Sequence, residues 1–411
     1  MMKTNDHPKL KAILSSVIFA VSLYPVQAAL SAEPYVPVPH EKLIMVSSPA
    51  YCSDIKGNTK INIVAPNFTK VTVHCWKQGS DFGADSSIGE VKLNNQGRGS
   101  IVFLADIYPH GPVTLRISGV NGDKDDNCYL QLYNKGGVSW GEGMPANPPA
   151  AADMKLIFAD DFDKTLSIGD DPKATYYDHK PPYGSQDFST IPFTSFNKSN
   201  NPFSQADSYL RIRANQQAQS AGLISSLKND GSGITAQVPC YFECRFVGPN
   251  AIGAWPAFWL LSVDKPGDKG GDELDIIEAY GGEGPHSPNA KDAYMITPHA
   301  WGQPGVATDI AEKAFKSISP VRMNKLGIPS TWYETSHTYG CKITETETIY
   351  YCDNIEVGRH ETLPISKKRP FFFLINLATG GGWPVDLSRY NGLADMYVDY
   401  VRVYSGAPAI P

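Results

Sequence analysis

Gly271-Asp-Glu-Leu-Asp-Ile-Ile-Glu-Ala-Tyr-Gly281 sets three carboxylates, Glu273, Asp275 and Glu278, into a run otherwise dominated by leucine and isoleucine. The apolar members mark a buried strand. Charge in such a strand is costly unless it faces a solvated cleft or is tuned for chemistry. Side chains alternate faces along a strand, so Glu273 and Asp275 share one face while Glu278 points to the other. A one-residue bulge at Ile276-Ile277 returns Glu278 to the face of its partners, and bulges re-aim side chains beside active sites. The stretch therefore predicts a bulged strand with three acids along one wall of a groove.

The segments around it predict more strands. Leu156-Ile-Phe, Tyr209-Leu-Arg-Ile-Arg213, Tyr241-Phe-Glu-Cys-Arg-Phe246 and Ala257-Phe-Trp-Leu-Leu261 precede it; Phe371-Phe-Phe-Leu-Ile-Asn-Leu377 and Met396-Tyr-Val-Asp-Tyr-Val-Arg-Val-Tyr404 follow. Helical periodicity is scarce, Asp309 to Phe315 being the best short candidate. Many strands with long loops predict a large two-sheet sandwich over 155–406. Upstream, short alternating runs such as Lys60-Ile-Asn-Ile-Val and Gly111-Pro-Val-Thr-Leu-Arg-Ile117 have the spacing of an immunoglobulin-like β-sandwich, placed at 41–138. Gly143-Met-Pro-Ala-Asn-Pro-Pro-Ala-Ala-Ala152 centres a Pro/Ala-rich linker over 139–154. The first module carries no carboxylate pair, histidine cluster or nucleotide loop, and is expected to be a spacer or an accessory binding domain.

Lys9 and Lys11 lead into an apolar run from Ala12 to Tyr24 and then Pro25-Val-Gln-Ala28, which predicts a secretory signal over 1–28 and an extracellular or periplasmic protein. No later stretch is long and apolar enough to predict a membrane span. Net charge is -6, without a basic tract interleaved with aromatics, so nucleic acid is not an expected partner. Seven cysteines in an exported chain predict structural disulfides, with Cys341 and Cys352 placed to meet across a hairpin. No cysteine or histidine spacing matches a metal site, and no redox or nucleotide cofactor is called for. A monomer is expected.

Two acids facing one groove suit glycoside hydrolysis, in which one carboxylate attacks the anomeric carbon and the other protonates the departing oxygen. The third, Asp275, can separate their pKa values. Aromatic residues cluster nearby in sequence, as a sugar site needs: Trp255, Trp259, His299, Trp301 and Trp383, the last in Gly380-Gly-Gly-Trp-Pro384. Ordinary core packing is the competing reading for Trp255 and Trp259, as is a structural role for His299.

Glu273-Leu-Asp-Ile-Ile-Glu278 resembles the E-x-D-x-x-E signature of glycoside hydrolase family 16, in its longer, bulged form. Leu156-Ile-Phe-Ala-Asp-Asp-Phe, Trp255-Pro-Ala-Phe-Trp-Leu-Leu and Asn376-Leu-Ala-Thr-Gly-Gly-Gly-Trp-Pro resemble other motifs of that family. The resemblance implies a concanavalin-like β-jelly roll and a retaining mechanism, with Glu273 as nucleophile, Asp275 assisting and Glu278 as acid/base. It implies cleft-lining roles for Trp255, Trp259 and Trp383, adds Asn376 to the expected substrate contacts, and allows a structural calcium without assigning its ligands. The expected substrate is a polysaccharide, first a β-1,3-glucan or mixed-linkage glucan, then a galactan or bacterial exopolysaccharide. A glycan-binding protein on the same fold is the non-enzymatic alternative.

Overall fold

The computed structural model describes residues 43–77, 86–122, 124–137, 148–181, 187–264, 270–282, 293–301, 320–328 and 330–406. The signal stretch, the helical candidate at 309–315 and most of the linker fall outside these residues. Among the described residues no helix is long and apolar enough to cross a membrane.

The chain is all-β. Its N-terminal part has eight strands: β1 (Met45–Ser48), β2 (Asp54–Ile55), β3 (Asn58–Val64), β4 (Lys70–Cys75), β5 (Ser87–Lys92), β6 (Arg98–Leu104), β7 (Gly111–Asn121) and β8 (Lys124–Asn134). They form a three-stranded sheet, β1-β3-β6, and a five-stranded sheet, β2-β8-β7-β4-β5. Alternation explains their pairing: Ile61, Ile63 and Phe103 of one sheet and Val73, Leu115 and Ile117 of the other bury into a shared core.

Fourteen strands follow: β9 (Lys155–Asp160), β10 (Phe203–Ala206), β11 (Tyr209–Asn215), β12 (Gly222–Ser225), β13 (Cys240–Val247), β14 (Ala254–Ser262), β15 (Gly271–Glu278), β16 (Ala293–Trp301), β17 (Val321–Arg322), β18 (His337–Ile343), β19 (Glu347–Cys352), β20 (Ile355–Glu361), β21 (Phe371–Thr379) and β22 (Leu393–Ser405). One sheet runs β10-β11-β22-β13-β18-β19-β20, with β9 also pairing β22; the other runs β12-β21-β14-β15-β16-β17. Together they make the β-jelly roll. Strand β21 shows how the sequence divides between its layers. Phe371, Phe373, Ile375 and Leu377 enter the core between the sheets, while Phe372 and Leu374 point outward into a second cluster with Leu223, Ala257 and Trp259. The outward face of that sheet carries the acids.

The cysteines do not pair. All seven are free and buried. Strands β18 and β19 set Cys341 opposite Tyr350 and Cys352 opposite Tyr339, so the two cysteines lie diagonally, two positions out of register. Diagonal neighbours stand about 7–8 Å apart, beyond disulfide reach. The thiols act as small apolar side chains in the inter-sheet core.

The N-terminal sandwich is packed hard against the jelly roll. Arg389 donates to both carboxylate oxygens of Asp126 (3.1 and 2.5 Å) and to the Ile44 carbonyl. Tyr390 receives the Tyr129 N–H at 3.1 Å and packs against Tyr51, with ring centroids 4.8 Å apart. Asp207 accepts from Tyr133, Lys135 and His110 at 2.8–2.9 Å. At the described end of the linker, residues 149–151 form a 3-10 turn that buries Ala151 against Tyr241 and Tyr404. Replacing Arg389 by Met leaves Asp126 largely buried without its cation. A loss of about 2–4 kcal/mol is expected, measured as a lower urea midpoint; a change below about 0.5 kcal/mol would show the contact to be energetically idle.

Candidate active site

The bulge in β15 is present where the parity argument requires it. Against β14, Asp275 faces Trp259 but Ile277 faces Phe258 and Glu278 faces Ala257; against β16, Asp275 faces Thr297 and Glu278 faces Met295. One extra residue is thus accommodated between Asp275 and Glu278. Its signature is that the adjacent Ile276 and Ile277 both enter the inter-sheet core. Glu273, Asp275 and Glu278 then lie opposite Leu261, Trp259 and Ala257, three positions of a single face.

Each acid has a different setting. Glu273 is half-buried and accepts a hydrogen bond from Trp301 Nε1 at 3.0 Å. Asp275 is 4% exposed, with one oxygen 3.4 Å from His299 Nε2. Burial, reinforced by the charges of Glu278 and Glu273, holds its pKa well above the ordinary carboxylate range, against a smaller downward pull from Lys180. Glu278 accepts from Thr297 Oγ1 at 3.1 Å and from Tyr280 Oη at 3.3 Å. Burial also raises its pKa, and these hydrogen bonds only partly oppose the shift. Burial lowers the pKa of His299, favouring its neutral form, and the ring stacks on Trp301 at 4.7 Å.

The expected aromatic wall is assembled, with differences in detail. Trp259 donates through Nε1 to Asn376 Oδ1 at 2.8 Å, and Asn376 Nδ2 donates to the Trp255 carbonyl at 3.2 Å, so Asn376 acts as a brace for the tryptophans. Trp255 stacks on Tyr280 at 5.4 Å. Phe188 packs edge-on against both Trp255 and Trp259, leaving Trp259 only 5% exposed. Trp301, by contrast, is 54% exposed at the cleft rim. Trp383 is half-buried in the glycine loop, in a turn in which its N–H donates to the Gly380 carbonyl. That loop approaches the site at Gly381, where a β-carbon would stand 2.9 Å from both the Trp255 and Tyr280 rings and φ is +63°.

Sequence reasoning missed Tyr280, Thr297, Phe188 and Lys180. Tyr280 could have been found as the residue two places beyond Glu278; the others enter through pairing or from a distant loop. Among the described residues, Glu273, Asp275 and His299 are the one group of three possible metal donors that lie close together, within 4.8 Å of one another. Exposed acidic groups gather in this way without a metal, and no step below depends on one.

No family model matches the chain. It is 32% identical over 352 residues to the endo-1,3-1,4-β-glycanase EglC of Rhizobium meliloti, covering 79% of this chain and 66% of that protein. To the endo-1,3-1,4-β-glycanase ExsH of the same organism it is 34% identical over 175 residues, 41% of this chain and 31% of that one. Both relatives are endo-acting β-glycanases. The chain spans just under two thirds of the first relative and about a third of the second. Among solved structures it overlaps the family 16 endo-β-1,3(4)-glucanase SCLam with a TM-score of 0.44 and 19% identity, over 64% of this chain and 95% of that one. The laminarinase catalytic domain of Thermotoga maritima overlaps with a TM-score of 0.43 and 18% identity, over 62% and 100% of the two chains.

The raised pKa of Glu278 gives the site a stability signature. A carboxyl whose pKa is higher folded than unfolded favours the fold when protonated, and that contribution is lost as pH rises through the folded value. Glu278→Gln should therefore be more stable than the parent at pH 7, by about 1 kcal/mol, with the gap closing as pH falls from the raised folded value towards the ordinary glutamate value of 4.5 and absent below it. Thermal unfolding across that range checks it, and a gap of the opposite sign would contradict the assigned environment.

Proposed function

We propose that this protein is an exported endo-acting β-glycanase that cleaves β-1,3-linked or mixed-linkage β-glucan by double displacement with retention of configuration. The observation that carries the reading is the alignment of three carboxyl groups on one bulged face in three different environments. Glu273, half-buried and held by the Trp301 indole, attacks the anomeric carbon as a carboxylate. Glu278, raised in pKa by burial, delivers its proton to the glycosidic oxygen as the bond breaks. In the second step the Glu278 carboxylate takes a proton from water, which attacks the glycosyl ester and frees Glu273.

Asp275, buried between them, resists ionisation because burial and the charges of Glu278 and Glu273 raise its pKa, and so limits the negative charge of the cluster. The double displacement thus runs with one ionised nucleophile and one protonated acid, the separation that two like groups need for different roles. Trp255 and Trp301 offer apolar faces to the sugars, while Trp259 supports them from beneath. The names of the two relatives, both endo-1,3-1,4-β-glycanases, support the substrate class. The N-terminal sandwich is read as an immunoglobulin-like module that stabilises the catalytic part by docking on it.

Reducing-end release from laminarin and mixed-linkage glucan tests the activity. Glu273→Gln and Glu278→Gln should each lower turnover by about 10²–10⁴-fold or more. With an activated aryl leaving group, Glu278→Gln should keep the first step while Glu273→Gln should not. Product anomers followed by NMR should show retention. Turnover of Glu273→Gln at the parental rate would sink the mechanism.

A further inference from the structure

Lys180 occupies a position in the cleft that the hydrolytic mechanism does not use. Tyr177 exchanges backbone hydrogen bonds with Ser225 of β12 (2.8 and 2.9 Å), which lays the segment before Lys180 along the edge of the acid-bearing sheet. Asp178 is already engaged: one oxygen lies 2.7 Å from His179 Nδ1 and the other accepts the Phe196 N–H at 2.8 Å. Lys180 instead places its ammonium over the Trp259 ring, 5.7 Å from the centroid. Trp259 is the cross-strand neighbour of Asp275. Lys180 is half-buried and has no ion-pair partner among the described residues.

An ammonium group has three donors and no acceptor. The indole face attracts its charge, but an aromatic ring leaves those donors without conventional acceptors. Half-buried against Trp259, Lys180 has given up part of its water; its charge acts on Asp275, but the two make no ion pair. An oxygen acceptor supplied by a ligand fills that deficit. Sugar hydroxyls can serve, yet an oxyanion makes a charge-assisted bond about twice as strong as a neutral one. Of the three acids it is Asp275, opposite Trp259, that burial holds most strongly against ionising, so an anionic group beside Lys180 meets the least repulsion there.

We propose that Lys180 is a specificity-determining residue that binds an oxyanion, a carboxylate or a sulfate, borne by the β-glucan on the sugar nearest Trp259. The inference deepens the glycanase reading and rests on it. The preferred polymer is then an acidically substituted β-glucan with an unsubstituted scissile bond, and Lys180 selects the register in which the chain lies across the acids.

The test compares kcat/KM of the full chain on neutral, carboxymethylated and sulfated β-1,3-glucans of matched length at low salt. At least one acidic polymer should be favoured by about tenfold, the weight of one charge-assisted hydrogen bond. Which one is favoured distinguishes carboxylate from sulfate. The preference should vanish in Lys180→Gln and return largely in Lys180→Arg. Calorimetric titration of the same polymers reads the preference without turnover, so a protein inert on all of them would overturn the glycanase reading while still testing this one. Equal affinity for neutral and acidic chains overturns the proposal. So does an acidic preference that survives in Lys180→Gln, or a loss that falls equally on both kinds of chain, which would mark Lys180 as a structural cap on Trp259.

Discussion

The extra residue in β15 is the constraint on which the site depends. A regular strand through Gly271–Glu278 could not satisfy both of its sets of side chains. With Glu273 and Asp275 facing the cleft, either Glu278 would enter the apolar core or the strand would have to break phase. The bulge resolves this by sending Ile276 and Ile277 into the core together, beside Phe258 and Ile375. Burial of two isoleucines, worth roughly 1.5–3 kcal/mol each, thus opposes the cost of a local break in the ladder. The catalytic geometry is held by apolar side chains on the opposite face from the chemistry.

That arrangement also fixes the electrostatics. Three carboxyls on neighbouring positions of one face cannot all ionise cheaply, and the structure separates them by burial rather than by distance. Asp275 is the most enclosed, pressed between Trp259 and the His299–Trp301 stack, and the charges on either side push its pKa further upward. Glu273 retains partial exposure and an indole donor. The same aromatic residues therefore bury Asp275 and raise its pKa.

Most of this was legible in the chain because period-two alternation survives reading without a structure. The acidic strand, the need for its bulge and a two-sheet sandwich follow from which neighbours are apolar; the jelly roll and the cleft-lining tryptophans were implied by the family resemblance. What was not legible depends on register between distant strands. Thr297 meets Glu278 only because β16 pairs with β15 across the bulge, and Lys180 reaches Trp259 only because Tyr177 bonds to Ser225. The cysteines failed as a disulfide signal for the same reason: Cys341 and Cys352 sit on paired strands, but two positions out of step. Composition can name the participants. Pairing decides who touches whom.

The junction of the two sandwiches extends the point from a site to the whole fold. A proline-rich stretch suggested modules separated by a linker, yet buried residues from both sides belong to one continuous apolar cluster. Arg389 and Tyr390, which make the docking contacts, follow the Trp383 loop by only a few residues, and that loop lies against Trp255 and Tyr280 beside Glu278. The loop is also tied down from within the jelly roll, since the Asp386 N–H donates to Ile252 and the Leu387 N–H to Gln216. The cleft wall on the acid/base side is therefore pinned from two directions. The glycines that let the loop approach Trp255 closely also loosen it, and the contacts that hold the residues just after it come from both sandwiches.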